Sequence, residues 1–129
     1  MADNREADLY IQNNTSVTLT LVANSLHQEH GKLKKDLPET IGTGGGSIEV
    51  INKTGALEGP KGSVKYSFGT NDGNVTFSWN HPFNASTSAY TAILDTQAQS
   101  FYVVNGPETH NHPDHRQTVN ISIDNRKDI

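Results

Sequence analysis

GSVKYSFGTNDGNVTFSWNHP, residues 62–82, decides the fold. Val64, Tyr66 and Phe68 alternate with Lys65 and Ser67, and Val75, Phe77 and Trp79 alternate with Thr76 and Ser78. Side chains of a strand point alternately to its two faces, so each triplet gives one apolar face and one polar face. Between the triplets lies TNDGN, whose Asp72-Gly73 pair suits a tight hairpin turn because glycine accepts positive φ and aspartate tolerates it. The spacing predicts an antiparallel hairpin over 62–80. Its six large apolar residues, the single Trp among them, share one surface. A two-stranded ribbon is not stable alone, so the rest of the chain must cover that surface.

Working outward, the same alternation recurs. ADLYIQNN places Leu9 and Ile11 on one face and Tyr10 on the other, and SVTLTLVAN alternates Val17, Leu19 and Leu21 with threonines. With Asn13-Asn14-Thr15 read as a turn, these two predict a second hairpin. Residues 25–46 have no clear period and read as loop. SIEVIN (47–52), AYTAILD (89–95), SFYVVN (100–105) and QTVNISID (117–124) read as strands; KTGALEGPKG (53–62), NHPFNASTS (80–88) and GPETHNHPDHR (106–116) read as turn-rich connections. The expected architecture is one domain over residues 1–129, with flexible tails at 1–6 and 125–129. It is an all-β, antiparallel sandwich of about eight strands without a confident helix.

Composition narrows the function. The hydrophobic fraction is 33% and mean hydropathy is -0.62, which suits short strands joined by polar turns. A net charge of -4 argues against nucleic acid, whose phosphates are bound by Lys and Arg, and against simple attraction to anionic lipid. Neutral or zwitterionic lipid and sugar remain. There is no Cys, which removes disulfides, thiolate metal sites and cysteine nucleophiles. MADNREAD lacks the apolar run of a signal peptide, and no stretch approaches the roughly 20 apolar residues of a membrane span. The expectation is a cytoplasmic protein, or one released without a leader, that acts at membranes peripherally. The six N-x-[ST] sequons read as part of an Asn- and Thr-rich β surface.

Two stretches carry candidate chemistry. HNHPDH places His110, His112, Asp114 and His115 in the H-x-H-x-D-H spacing of two-metal hydrolases. In that fold the string precedes a helix and draws further ligands from far downstream. Here 14 residues follow, and they read as a strand. A solvated loop without a tight metal is therefore expected, and no cofactor and no enzymatic activity. The second stretch is Trp79-Asn80-His81-Pro82-Phe83, followed by Tyr90. A strand ends in Trp and a Pro-containing loop then presents another aromatic ring. Trp79 on the Phe77 face suits a core position, with Phe83 capping the core edge. Alternatively, the loop offers rings to a lipid headgroup or a sugar, since an aromatic ring pairs an apolar body with a polar edge.

LYIQNNTS, His30-Gly31-Lys32, EGPKGSVKYS (58–67), Trp79–Phe83 and TVNISID follow one another in an order that resembles the aegerolysins. Those small β-sandwich proteins carry an Asn-rich first strand, a W-G-K-like element, S-G-T-E-G-x-F-D-L, W-D-C-P-W and a final alternating strand. His30 stands where the family has Trp, His81 where it has Cys, and Phe83 where it has a second Trp. The resemblance implies a sandwich of aegerolysin or actinoporin type. It also implies recognition of a membrane lipid and, in some members, a larger pore-forming partner. It transfers lipid contact only to Trp79 and Phe83; the loop itself suggests that Phe83 and Tyr90 enter the interfacial region while His81 contacts a headgroup. A lectin-like module using the same loop is the other reading.

Overall fold

The computed structural model describes residues 4–55, 58–83, 87–106, 109–110 and 115–127, with Thr109 and His110 as backbone only. Twelve strands are present among them: β1 (Glu6–Asn14), β2 (Leu19–Leu21), β3 (His27–His30), β4 (Lys32–Leu33), β5 (Thr40–Ile41), β6 (Gly46–Ile51), β7 (Lys61–Ser67), β8 (Asn74–Asn80), β9 (Ser88–Leu94), β10 (Tyr102–Asn105), β11 (Thr109–His110) and β12 (Arg116–Asn125). A single 3-10 turn covers Ala98–Ser100.

The strands form a sandwich of two sheets. One has the order β10-β12-β1-β6-β4; the other has the order β11-β9-β8-β7-β2-β5, with β3 pairing β7 off that path. The hairpin over 62–80 is β7–β8, with Val64 opposite Phe77 and Tyr66 opposite Val75. Its turn is wider than Asp-Gly alone: Phe68 N–H donates to the Gly73 carbonyl at 3.0 Å across a six-residue loop. The alternating residues behave as their period requires. Leu9, Ile11, Ile48, Val50, Val119, Ile121 and Ile123 of one sheet meet Leu19, Val64, Tyr66, Val75, Phe77 and Trp79 of the other, all buried. Each such side chain contributes roughly 1.5–3 kcal/mol of burial.

Two expectations are corrected. Residues 7–14 and 16–24 do not form a hairpin, because β1 and β2 lie in opposite sheets. Asn13 turns the chain: its amide donates to the carbonyls of Val17 and Ile41, both at 2.8 Å, and its Oδ1 accepts from Thr15 N–H at 3.0 Å. Leu9 and Leu19 thus face each other across the core instead of lying side by side. Residues 25–46 are not all loop; they contain β3, β4 and β5, whose short, largely exposed runs carry no apolar period. The two sheets are antiparallel-rich, as expected, with one parallel pairing among the described strands. β1 and β12, from the two ends of the chain, pair in parallel from Glu6↔Arg116 to Asn14↔Asp124. The strands extend from Glu6 to Asn125.

Candidate functional site

Three of the family-like elements, His30-Gly31-Lys32, the start of EGPKGSVKYS and Trp79–Phe83, are dispersed along the sequence but meet at one end of the sandwich. Gly31, at φ 87°, lies against Pro60: a Cβ there would come within 2.9 Å of the Pro60 Cα and 2.7 Å of the Ile51 carbonyl. Gly59 lies still closer to the next element, since a Cβ on it would fall 1.7 Å from the His81 carbonyl oxygen. Only glycine fits either contact. His81 N–H donates to the Pro60 carbonyl at 3.0 Å, which ties the two loops together.

Of the four candidate residues, three lie inside this end. Trp79 is 2% exposed and sits between Gly62 and Tyr90 in the cross-strand register. Tyr90 is buried, and its hydroxyl donates to Gln117 Oε1 in the facing sheet. Burial pushes that hydroxyl far above the usual tyrosine range, only partly opposed by a hydrogen bond with Ser88. His81 is 2% exposed. Its Nε2 lies 3.1 Å from the His115 carbonyl, which can only accept, so Nε2 carries a proton; Nδ1 lies 3.0 Å from Ser88 Oγ. The imidazole thus cross-links the loop after β8 to the start of β12. In this arrangement Trp79, His81 and Tyr90 are each only 2% exposed.

Phe83 differs, being only partly buried. The Arg5 guanidinium lies over its ring, 4.7 Å from the centroid, and Arg5 Nη2 donates to the Phe83 carbonyl at 3.2 Å. Arg5 is itself fixed by Asn52: its N–H donates to Asn52 Oδ1 at 2.7 Å, and Asn52 N–H donates to the Arg5 carbonyl at 3.1 Å. An apolar ring and a cation thus share one spot at the sandwich end. The sequence reading missed Arg5, because nothing local to Asn4-Arg5-Glu6 indicates a partner 78 residues away.

The side chains of His110, His112 and Asp114 lie outside the described residues. Among the described residues, no cluster of three His, Cys, Asp or Glu side chains could hold a metal ion, and no helix is long and apolar enough to cross a membrane.

The outer face of the five-stranded sheet divides into two halves. On the half nearer Arg5, Lys34 Nζ contacts Glu6 at 2.8 Å and Asp8 at 3.3 Å, Lys35 contacts Glu49 at 3.2 Å, and Arg116 contacts Asp8 at 3.1 Å. Glu49 is held below the usual carboxylate range by the Ser47 hydroxyl first, against the opposing effect of burial, and then by Lys35 and Lys34. Burial pulls Lys34 down, but the hydrogen bonds to Glu6 and Asp8 outweigh it and hold its pKa above 10.5. A lowered carboxylate pKa stabilises the fold above the unfolded value of 4.5, and that stability is lost as pH falls through the folded value. A raised lysine pKa does the reverse, its contribution vanishing as pH rises above 10.5. Melting temperature followed against pH should therefore fall at both extremes. Ser47→Ala should shift the acid limb to higher pH and leave the alkaline limb in place; an unchanged acid limb would refute the assignment to Glu49.

No family model and no curated protein matches the sequence. Solved structures do. RahU, in a crystal structure with a TRIS molecule, superposes with TM-score 0.70 at 16% identity, covering 97% of this chain and 98% of that one. This chain has the fold of RahU. The lipid-binding protein Nakanori matches with TM-score 0.69 at 13% identity over 95% of this chain and 71% of its own. IP-1A from Alcaligenes faecalis matches with TM-score 0.62 at 13% identity over 98% and 93%. Near-complete coverage of this chain at such low identity shows a shared fold.

Proposed function

We propose that this chain is a non-enzymatic, aegerolysin-type protein that recognises a membrane lipid with neutral or zwitterionic headgroup. The observation that carries this reading is the Phe83–Arg5 pair at the end of the sandwich where the family-like motifs meet. The ring can enter the interfacial region of a bilayer while the guanidinium meets a headgroup phosphate, a match of planar fork to oxyanion. Trp79, His81 and Tyr90 support the loop from beneath and do not touch the lipid. The shared fold of a protein described as lipid binding, Nakanori, supports the same assignment. In this reading the chain supplies lipid specificity, and a lytic step belongs to a larger pore-forming partner.

Moving one aromatic side chain out of water is worth roughly 1.5–3 kcal/mol, so Phe83→Ala should weaken vesicle binding by at least about tenfold. Its melting temperature should change little. Phe101, also an exposed aromatic, lies at the opposite end of the sandwich beside Arg126, and Phe101→Ala should bind as the wild type does. Co-sedimentation with phosphatidylcholine–sphingomyelin vesicles, paired with thermal melts, checks all three. Stable Phe83→Ala with undiminished binding would sink the proposal; a loss of about 3–5 kcal/mol of stability with undiminished binding would make Phe83 a core cap instead.

A further inference from the structure

The other half of the outer sheet face holds a groove of about 730 Å³, walled by the loop Thr43–Gly46 on one side and by Asn105-Gly106 on the other. That volume lies within the roughly 300–1,000 Å³ of small-molecule sites. Its floor is a grid set by strand register. Tyr10 on β1 lies between Ser47 on β6 and Asn120 on β12, and in the next row Ser122 on β12 lies between Gln12 on β1 and Asn105 on β10. Neighbouring strands are about 4.8 Å apart, so these groups form a regular array. The Tyr10 side is 44% exposed although the ring lines the groove.

The contrast with the charged half of the same face is informative. There, Lys34, Lys35 and Arg116 are engaged by Glu6, Asp8 and Glu49. Here, the side chains of Tyr10, Gln12, Asn120 and Ser122 make no hydrogen bond with any described residue. Among the described residues no carboxylate lines the groove, and the one cation among them, Lys35, is already engaged by Glu49 at 3.2 Å. The chemistry on offer is an aromatic ring surrounded by neutral amides and hydroxyls that both donate and accept. A ligand matching it has an apolar C–H face to lie on the ring, many hydroxyls to exchange hydrogen bonds, and no net charge.

We infer that this groove is a binding site for a neutral saccharide. Tyr10 stacks on the pyranose face, while Asn120 and Gln12 exchange hydrogen bonds with its hydroxyls and Asn105, whose Nδ2 donates to Asp124 Oδ2 at 3.0 Å, offers its side-chain oxygen. The site is separate from the Phe83 end and stands on its own observations. The sugar can be free, protein-borne or the headgroup of a glycolipid, since all three present the same face.

A glycan array bearing neutral, sialylated and sulfated glycans tests this directly, followed by titration of the retained neutral oligosaccharide monitored by amide NMR. The inference expects retention of neutral glycans, loss of at least about tenfold in affinity in Tyr10→Ala and in Asn120→Ala with unchanged melting temperature, and substantial retention in Tyr10→Phe, which keeps the ring. Phe83→Ala should bind sugar normally, which separates failure here from failure of the lipid assignment. Phosphatidylcholine vesicles with and without a neutral glycosphingolipid tell a lipid-borne sugar from a soluble one. If Tyr10→Ala melts early, Asn120→Ala decides. No retained neutral glycan, equal binding by both alanine variants, or retention of sulfated glycans only, lost in Lys35→Gln, would overturn it.

Discussion

Trp79→Ala is expected to lower the stability of the fold by about 3–5 kcal/mol, the cost of truncating a large core aromatic. The residue is 2% exposed, pairs with Gly62 on one side and Tyr90 on the other, and its ring covers the glycine: a Cβ on Gly62 would meet it at 2.9 Å. The cross-strand neighbour on β7, Gly62, has no side chain with which to fill the void. Domains of this size have about 5–15 kcal/mol in total, so the loss should take a substantial share of that margin. Equilibrium urea unfolding should show a lower midpoint at unchanged slope. A variant as stable as the wild type that has lost vesicle binding would instead mean that Trp79 touches lipid, in an arrangement different from the one described.

Gly59→Ala is expected to be comparably damaging, at about 3 kcal/mol or more, at the upper end of the usual overpacking cost. Overpacking is often relieved by a side chain turning away, but here the new methyl would lie 1.7 Å from a backbone oxygen, that of His81, and 2.8 Å from its carbonyl carbon. Relief requires one loop to move off the other, which breaks the hydrogen bond from His81 N–H to the Pro60 carbonyl. The loop carrying Phe83 would move with it. Gly59→Ala should therefore show both a lowered unfolding midpoint and weakened vesicle binding in the fraction still folded. Phe83→Ala should show only the second. Chemical denaturation and co-sedimentation of the two variants side by side separate the scaffold from the contact.

The fold was legible where period and burial coincide. Val64–Trp79 gave the central hairpin, and Val119, Ile121 and Ile123 gave the last strand, because alternation of side chains is a local property. Partner choice is not local. The parallel pairing of β1 with β12 joins residues more than 100 positions apart, and the crossing of the chain between sheets at Asn13 depends on hydrogen bonds to Val17 and Ile41. Short edge strands such as His27–His30, held by backbone pairing to β7 and not by burial, leave no apolar signature. The candidate loop was legible as an aromatic-bearing turn, but its interior was not. Trp79 on the Phe77 face already suited a core position, whereas the burial of His81 depends on Gly59, Ser88 and the His115 carbonyl, each from another segment. Tyr10 was visible as the odd aromatic on the polar face of its strand; that it stands in a row with Ser47 and Asn120 follows only from register.

The most direct test of the lipid assignment is co-sedimentation of the wild-type protein with phosphatidylcholine vesicles, sphingomyelin-containing vesicles and vesicles rich in an anionic phospholipid, each at low and high salt. With a net charge of -4 and an apolar ring as the anchor, the protein should bind at least one zwitterionic composition, should show no preference for the anionic one, and should remain bound at high salt, where long-range electrostatic attraction is screened. Failure to bind any vesicle, or binding to anionic vesicles alone that salt abolishes, would contradict it.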